Sequence, residues 1–296
     1  MTQEMPHCGY VAIIGRPNVG KSTLLNRILG QKISITCRKP QTTRHQILGV
    51  KTASSVQYLY VDTPGLHRQQ PKAINRYMNR AASSVVQDVD VVVMLIDSRW
   101  TEADDWVLTQ LDKVKCPVLL VLNKVDRIGQ KSDLLPIMAD CQQRYPFAHI
   151  VPISAKQGDQ VDVLENFIAQ YLPERPFLFD EDQVTDRSMR FLAAEIIREK
   201  LMRFLGQELP YAVTVEIEQF QETERLFRIS ASILVERNTQ KAMIIGKQGQ
   251  KLKEIGQLAR LDMEAQFGTK VFLQLWVKVK SGWADDERGL RSLGYE

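Results

Sequence analysis

The run Gly15-Arg16-Pro17-Asn18-Val19-Gly20-Lys21-Ser22, with Thr23 next to it, has the residue types and spacing of a phosphate cradle. The glycines let backbone N–H groups turn inward around phosphate oxygens at the positive end of the following helix. Lys21 supplies charge to β and γ phosphates, and the Ser22 hydroxyl suits Mg²⁺. A Gly-containing turn before an ordinary helix is the bland alternative. The context disfavours it: Tyr10–Ile14 is predicted as a buried strand ahead of the run, and Lys21–Leu29 as a helix with Leu24, Leu25 and Ile28 on one face.

Asp62-Thr63-Pro64-Gly65 ends a later predicted strand. The Asp62 carboxylate can hold Mg²⁺ through water, and the Gly65 N–H can meet a γ phosphate. Asn123-Lys124-Val125-Asp126 follows the strand Val118–Leu122 and points to guanine. Asp126 can accept from both guanine N1–H and the exocyclic amine, whereas adenine would leave a buried carboxylate unpaired, at a cost of about 1–3 kcal/mol. Lys124 can lie along the base, and Asn123 can tie loops together. Ser154-Ala155-Lys156 then ends the last strand, where a backbone N–H can donate to guanine O6. Each short string alone could be a surface turn. Four of them, in the required order and each at a strand end, cannot.

A fifth feature lies far downstream. Ile244-Ile245-Gly246-Lys247-Gln248-Gly249-Gln250-Lys251 holds a G-x-x-G between a strand region and a helix, with Lys253 just after it. Two glycines let a nucleic-acid backbone approach closely while lysines meet phosphate. From Arg237 to Arg260 six basic residues face one acid, Glu254. A solvated basic helix start with an ordinary turn is the plain alternative.

The elements that must position these residues fall into two groups. Residues 9–172 alternate aliphatic strands with amphipathic helices. After Lys21–Leu29 and the polar, basic stretch Cys37–Arg44 come strands Ile47–Lys51 and Val56–Val61, joined so briefly that they pair antiparallel. Helix Ala73–Val86, strand Val89–Ile96, helix Glu102–Lys113, strand Val118–Leu122, helix Ser132–Arg144, strand His149–Pro152 and helix Val161–Tyr171 follow. This order predicts an α/β fold: a mainly parallel sheet with one antiparallel edge strand and helices on both faces. The Pro-containing segment Leu172–Asp186 reads as a linker, giving a nucleotide domain over 1–172, a linker over 173–186 and a second domain over 187–296. The second domain is predicted to be small and α+β: helix Ser188–Leu205, strands Ala212–Phe220 and Phe227–Glu236, a Gly-containing loop, helix Gln250–Gln266 and strand Val271–Lys280.

The set GRPNVGKS, DTPG, NKVD and SAK resembles the translation-factor-class GTPases of the TrmE–Era–EngA type. With Gln41-Thr42-Thr43-Arg44 in the switch position, it is similar to their Era branch. The resemblance implies GTP and GDP as ligands with Mg²⁺ held at Ser22, Asp62 and a switch threonine, Thr43 being favoured and Thr42 the alternative. It gives Lys21, Thr43 and Gly65 the catalytic roles. Two departures bear on mechanism. Leu66 stands where many small GTPases carry the glutamine that orients the attacking water. Asn18 matches an asparagine that helps relatives hold K⁺, so K⁺ or a partner is expected to stabilise the leaving charge, with slow intrinsic hydrolysis. The second domain resembles a type II KH domain, which places Ile245, Gly246, Lys247, Gln248, Gly249, Lys251 and Lys253 on RNA. The segment Ser281–Arg288 and the C-terminal Arg291-Ser292-Leu293-Gly294-Tyr295 are also of the Era kind. The resemblance further implies binding near the 3′ end of 16S ribosomal RNA, in assembly of the small ribosomal subunit.

The chain has 296 residues, 44% hydrophobic and 25% charged, with a formal net charge of +4, which fits a globular protein with room for two cores. No stretch nears the ~20 apolar residues of a membrane span. No basic-then-apolar leader precedes Cys8. The four cysteines lack paired spacing, so free thiols in a reducing compartment are expected. A cytoplasmic monomer is expected, and the family resemblance implies that part of it is peripheral at the inner membrane. Two rivals remain: a membrane or cell-cycle regulator whose second domain binds protein, and a metabolic P-loop kinase, against which NKVD and SAK stand.

Overall fold

A computed structural model describes residues 5–290 other than 38, 40–41, 66–73, 75–76, 79–84, 113, 206–212 and 286–289. The described chain forms two compact units. The first comprises residues up to Ser34, Thr43–Gln70 and Met78–Asp186; the second comprises Ile35–Thr42, Pro71–Tyr77 and Arg187 onward.

Six described strands build the first unit: β1 (His7–Ile14), β2 (Ile47–Ala53), β3 (Val56–Asp62), β4 (Val91–Ile96), β5 (Val118–Leu122) and β6 (His149–Pro152). Their order is β2-β3-β1-β4-β5-β6, and only β2 runs antiparallel, against β3. Every residue of β4 and β5 is buried, as strands covered on both faces must be. Helices α1 (Lys21–Leu29), α2 (Glu102–Thr109), α3 (Leu134–Arg144) and α4 (Val161–Ala169) supply the covering layers. Because β1 lies between β3 and β4, the chain turns opposite ways on either side of it, and the crevice at its C-terminal end is where such sheets bind ligands.

In the first unit the sequence-based elements hold to within a few residues among the described residues, with two differences. The helix expected over Glu102–Lys113 ends at Thr109. The helix expected over Ala73–Val86, like Leu66, lies largely outside the described residues. The supposed linker is packed into the first unit. The Val50 amide donates to Val184 O at 2.8 Å, Thr185 Oγ1 donates to Leu48 O, and Arg175 N donates to Pro6 O. Gln57, fully buried on β3, holds the Leu178 and Phe179 amides on its Oε1 at 2.9 and 3.1 Å and donates to Phe179 O at 2.8 Å.

The second unit packs helices α5 (Met189–Phe204), α6 (Asn238–Ile245) and α7 (Gln250–Phe267) against strands β7 (Val213–Glu222), β8 (Leu226–Val235) and β9 (Lys270–Val279). Strand β8 pairs antiparallel with β7 and parallel with β9, so the chain between β8 and β9 must cross over, through α6 and α7. Ala193, Ile197, Ile229, Ile233, Ile244, Ile255, Ala259 and Met263 are among its core residues. Helix α6 corrects the sequence reading, which gave only a Gly-containing loop before α7. Its start is held by Gln240 Oε1, which accepts from the Glu236 and Arg237 amides. The tail of the unit is anchored by Trp283, which is fully buried and clusters with Ile74, Ala284 and Leu290. Residues 286–289 and 291–296 of the family-like tail lie outside the described residues.

Candidate nucleotide site and candidate RNA-binding loop

The loop between β1 and α1 is shaped by two glycines that no other residue could replace. Gly15 has φ +148, and a Cβ there would lie 2.4 Å from Leu95 O; Gly20 has φ +110, and a Cβ there would lie 2.2 Å from Asn123 Nδ2. Lys21 is buried, and its ammonium donates back to Gly15 O at 2.9 Å and Arg16 O at 3.1 Å. Burial pulls the Lys21 ammonium down to about 8; the Asp62 charge opposes this and the Arg16 charge adds to it. Arg16 itself is fixed by both carboxylate oxygens of the fully buried Asp104 on α2, at 3.1 and 3.2 Å.

Three oxygen-bearing side chains from distant stretches converge beside this loop. Ser22 Oγ lies 2.9 Å from Thr43 Oγ1 and donates to Asp62 Oδ2 at 2.8 Å. Ser34 Oγ donates to the same Oδ2 at 2.9 Å. Of the two switch threonines, Thr43 enters this group, while the Thr42 hydroxyl donates to Lys39 O. Asp62 Oδ1 is buried with no hydrogen-bond partner among the described residues. Burial raises the Asp62 carboxyl above its ordinary value, although Lys21 and the three hydroxyls oppose that. Two hydroxyls and a carboxylate with an orphaned, desolvated oxygen form a hard-oxygen set that suits a divalent cation. Thr63 is buried with its hydroxyl on Ile13 O, and Gly65 sits so close to Pro17 that a Cβ would meet the ring at 2.9 Å.

The base end is organised by Asn123. Its Nδ2 donates to Val19 O at 2.8 Å, and its Oδ1 accepts from the Lys124 and Ala155 amides. Three sequence motifs are thereby joined by one side chain. Lys124 takes a left-handed conformation (φ +66), and its ammonium bridges Asn18 O and Asp97 Oδ2. Burial alone would raise the Asp97 carboxyl, but hydrogen bonds from Lys124 and Ser98 hold it below its ordinary value. Asp126 Oδ1 accepts from Ser154 Oγ at 2.7 Å. Here the structure corrects the selectivity argument: the Asp126 carboxylate is exposed rather than buried, so it discriminates only once a base covers it. Lys156 is exposed too, its carbonyl held by Arg27. Sequence reasoning missed Asp97, Asp104, Ser34 and Arg27. Of these only Asp97 carried a signal, as the acid that ends the aliphatic run Val91–Ile96.

In the second unit the G-x-x-G joins α6 to α7, not a strand to a helix. Gly246 ends α6 with φ +73, where a Cβ would collide with Lys251 Cβ at 2.6 Å. Gly249 has φ +77 and open space around it, so only its backbone demands glycine. Gln248 between them is also left-handed at φ +51. Lys247, Gln248 and Lys253 are exposed, and Ile245 and Lys251 are half-buried. The loop therefore offers cations and a bare backbone on one turn.

A phosphate loop at the switch point of a β2-β3-β1-β4-β5-β6 sheet, with a guanine-type base end, defines a P-loop GTPase of the translation-factor class. The profile of the 50S ribosome-binding GTPase family matches residues 10–124, and that of the KH domain matches residues 208–284. GTPase Era of Pseudomonas aeruginosa is 62% identical over 289 residues, 97% of this chain and 95% of its own. GTPase Era of Coxiella burnetii is 59% identical over 290 residues, 98% of each. Among solved structures, a single-site variant of Aquifex aeolicus Era bound to GDP and AlF4⁻ superposes with a TM-score of 0.95 at 39% identity, covering 98% of this chain and 99% of that one. Era in complex with MgGDPNP and nucleotides 1506–1542 of 16S ribosomal RNA matches with the same score, identity and coverage. The chain belongs to the Era family of GTPases.

Proposed function

We propose that this GTPase binds the 16S ribosomal RNA of the small subunit near its 3′ end and acts in the assembly of that subunit. The carrying observation is full-length similarity, at a TM-score of 0.95, to an Era bound to MgGDPNP and nucleotides 1506–1542 of 16S ribosomal RNA. The turn at Gly246–Gly249 supports it, since such loops clamp about four single-stranded nucleotides.

At the nucleotide end, the inward N–H groups of the Gly15–Ser22 loop and the Lys21 ammonium hold the β and γ phosphates. Ser22 and Thr43 would ligate Mg²⁺, with Asp62 reaching it through water. Bound there, the ion neutralises charge on the phosphate oxygens. Thr43 and the Gly65 N–H address the γ phosphate, Asp126 takes the guanine N1–H and amine, and the Ala155 region serves O6. No glutamine side chain is available from position 66, so slow intrinsic hydrolysis is expected, and K⁺ near Asn18 would speed it. The rate in K⁺ against Na⁺ reads that part. A cytoplasmic location, a monomeric state and peripheral contact with the inner membrane belong to the same reading, and fractionation and light scattering test them.

The deciding experiment crosslinks the GTP-loaded protein to cellular RNA and sequences the sites. Contacts should gather at the 3′ end of 16S RNA and vanish in Gly246→Asp, whose GTP affinity stays unchanged. A scatter of sites with no such focus would overturn the assignment. Asp126→Asn should shift preference toward xanthosine triphosphate; retained GTP binding would remove the base assignment.

A further inference from the structure

Strand β9 carries a row of outward, exposed side chains, engaged among the described residues only at its ends, by Arg228 over Phe272 and by Glu218 on Lys278. It lies at the end of the order β7-β8-β9 and so has one free edge among the described strands. Its inward residues Val271 and Val277 are buried, whereas the alternating residues Lys270, Phe272, Gln274, Trp276 and Lys278 are all exposed, with Lys280 beyond them. Phe272 is 45% and Trp276 43% exposed, large values for aromatic rings in mid-strand. At a rise of about 3.3 Å per residue, four residues separate the rings by about 13 Å along one face. Arg228 on β8 is in register with Phe272, and its guanidinium lies 5.7 Å from that ring. No acidic residue occurs from Lys270 to Lys280. Glu218 on β7 pairs with Lys278 and marks the acidic margin of the face; the Arg228 and Lys270 end is basic.

We propose that this row is a second contact for single-stranded RNA, with bases stacking on Phe272 and Trp276 and with Lys270, Arg228 and Lys280 meeting phosphates. The proposal rests on the RNA-binding reading of the second unit. Two exposed rings flanked by cations on alternate positions match the stacking platforms of single-strand binders, because every base offers a π-face and every linkage a charge. A protein partner would have to place carboxylates at each lysine, whereas RNA brings a charge with every linkage. The loop also lies near this strand: α6, which ends at Gly246, packs on β9 from its inward side, through the core that Ile244 shares with Val271 and Val277. A strand leaving the loop after about four nucleotides needs only to pass the free edge of β9 to reach the rings.

The test uses the full chain and single-stranded oligoribonucleotides of about four and about twelve residues, read by fluorescence anisotropy. Phe272→Ser with Trp276→Ser should weaken the longer probe by about a hundredfold and leave the shorter one unchanged, since each of the two lost stacks costs about a tenfold factor. Phe272→Tyr with Trp276→Phe should restore it. Gly246→Asp should lose both probes. Equal affinity of the serine variant for the longer probe would overturn the proposal while leaving the loop intact; failure of the unchanged protein to bind either probe would remove the RNA reading itself. Loss of a co-purifying protein with RNA affinity unchanged would make the face a protein-docking surface, which also overturns it. Ultraviolet crosslinking of the unaltered chain to an iodouridine-bearing longer probe is independent of any folding defect. Adducts on Phe272 or Trp276 are expected, and adducts confined to residues 243–253 would count against them.

Discussion

Lys21 is a cation kept dehydrated until an anion arrives. Its pKa in the ligand-free protein is lowered from 10.5 to about 8 by burial, whereas phosphate oxygens beside it would favour the charged form. Above pH 8 the nucleotide must therefore bring a proton with it, and apparent GDP affinity should fall by up to about tenfold per pH unit between 8 and 10.5. The sign for folding is the reverse. The folded ligand-free chain binds fewer protons than the unfolded chain in that window, so Lys21 weakens stability below pH 8, and the penalty is relieved as pH rises toward 10.5. Titration with a fluorescent GDP analogue from neutral to alkaline pH measures the first effect. Lys21→Arg, charged throughout, should show a flatter profile, which separates the lysine from the titration of guanine itself. Matching slopes in the two proteins would refute the account.

At the scale of elements, the least expected support comes from Gln57. Its amide replaces a missing strand partner: it pairs with both the N–H and the C=O of Phe179 and with the Leu178 N–H, and it is fully buried. Gln57→Leu conserves volume but leaves those backbone groups without partners, at a cost of about 2–4 kcal/mol. A lower thermal midpoint and rapid proteolytic nicking within 173–186 are expected, with GDP affinity little changed because Gln57 lies off the crevice. Resistance equal to that of the parent would show the segment to be held by its other contacts. This segment also marks where the sequence stopped being legible. The aliphatic strands and the helix after the phosphate loop declare themselves through periodicity and run length, and the motif glycines through spacing. A glutamine at one position of an alternating strand announces nothing, so from sequence a tethered segment rich in Pro and acids reads as a linker. Helix α6 is illegible in the sequence for a related reason. Its apolar residues crowd into Ala242–Ile245 rather than recurring every turn, and the glycine after them reads as loop. Around the phosphate loop, contacts between motif residues are legible in the sequence, whereas Asp104, the partner of Arg16, sits outside any motif.

Over the whole molecule, the two units are interleaved in sequence, which no linear reading of domain borders anticipates. Ile35–Thr42 belongs with the second unit, while Thr43, one peptide bond later, belongs with the first. The reason is chemical. The Lys39 ammonium donates to Met202 O and Leu205 O, carbonyls at the C-terminal end of α5, where a cation is favoured. Arg198 holds Thr42 O, and the Thr36 amide donates to Glu199. A segment anchored this way and running into Thr43, the threonine proposed for the γ phosphate, is where a coupling between nucleotide state and RNA binding is predicted to act. Such couplings amount to about 1–3 kcal/mol, or factors of about 5 to 150. Lys39→Ala removes the anchor at the helix end without creating an unpaired buried charge. Hydrogen exchange should quicken at Thr36, Cys37, Lys39 and Thr42 and in the last turn of α5, while β7–β9 stay protected. The ratio of RNA affinities in the GTP-analogue and GDP states should move toward one, with GDP affinity itself within about twofold of the parent, as expected for a change that adds or removes no nucleotide contact. By reciprocity, the effect of RNA on nucleotide preference must shrink by the same factor. A ratio that holds steady while the segment loosens would mean that the message between the sites travels by another part of the chain.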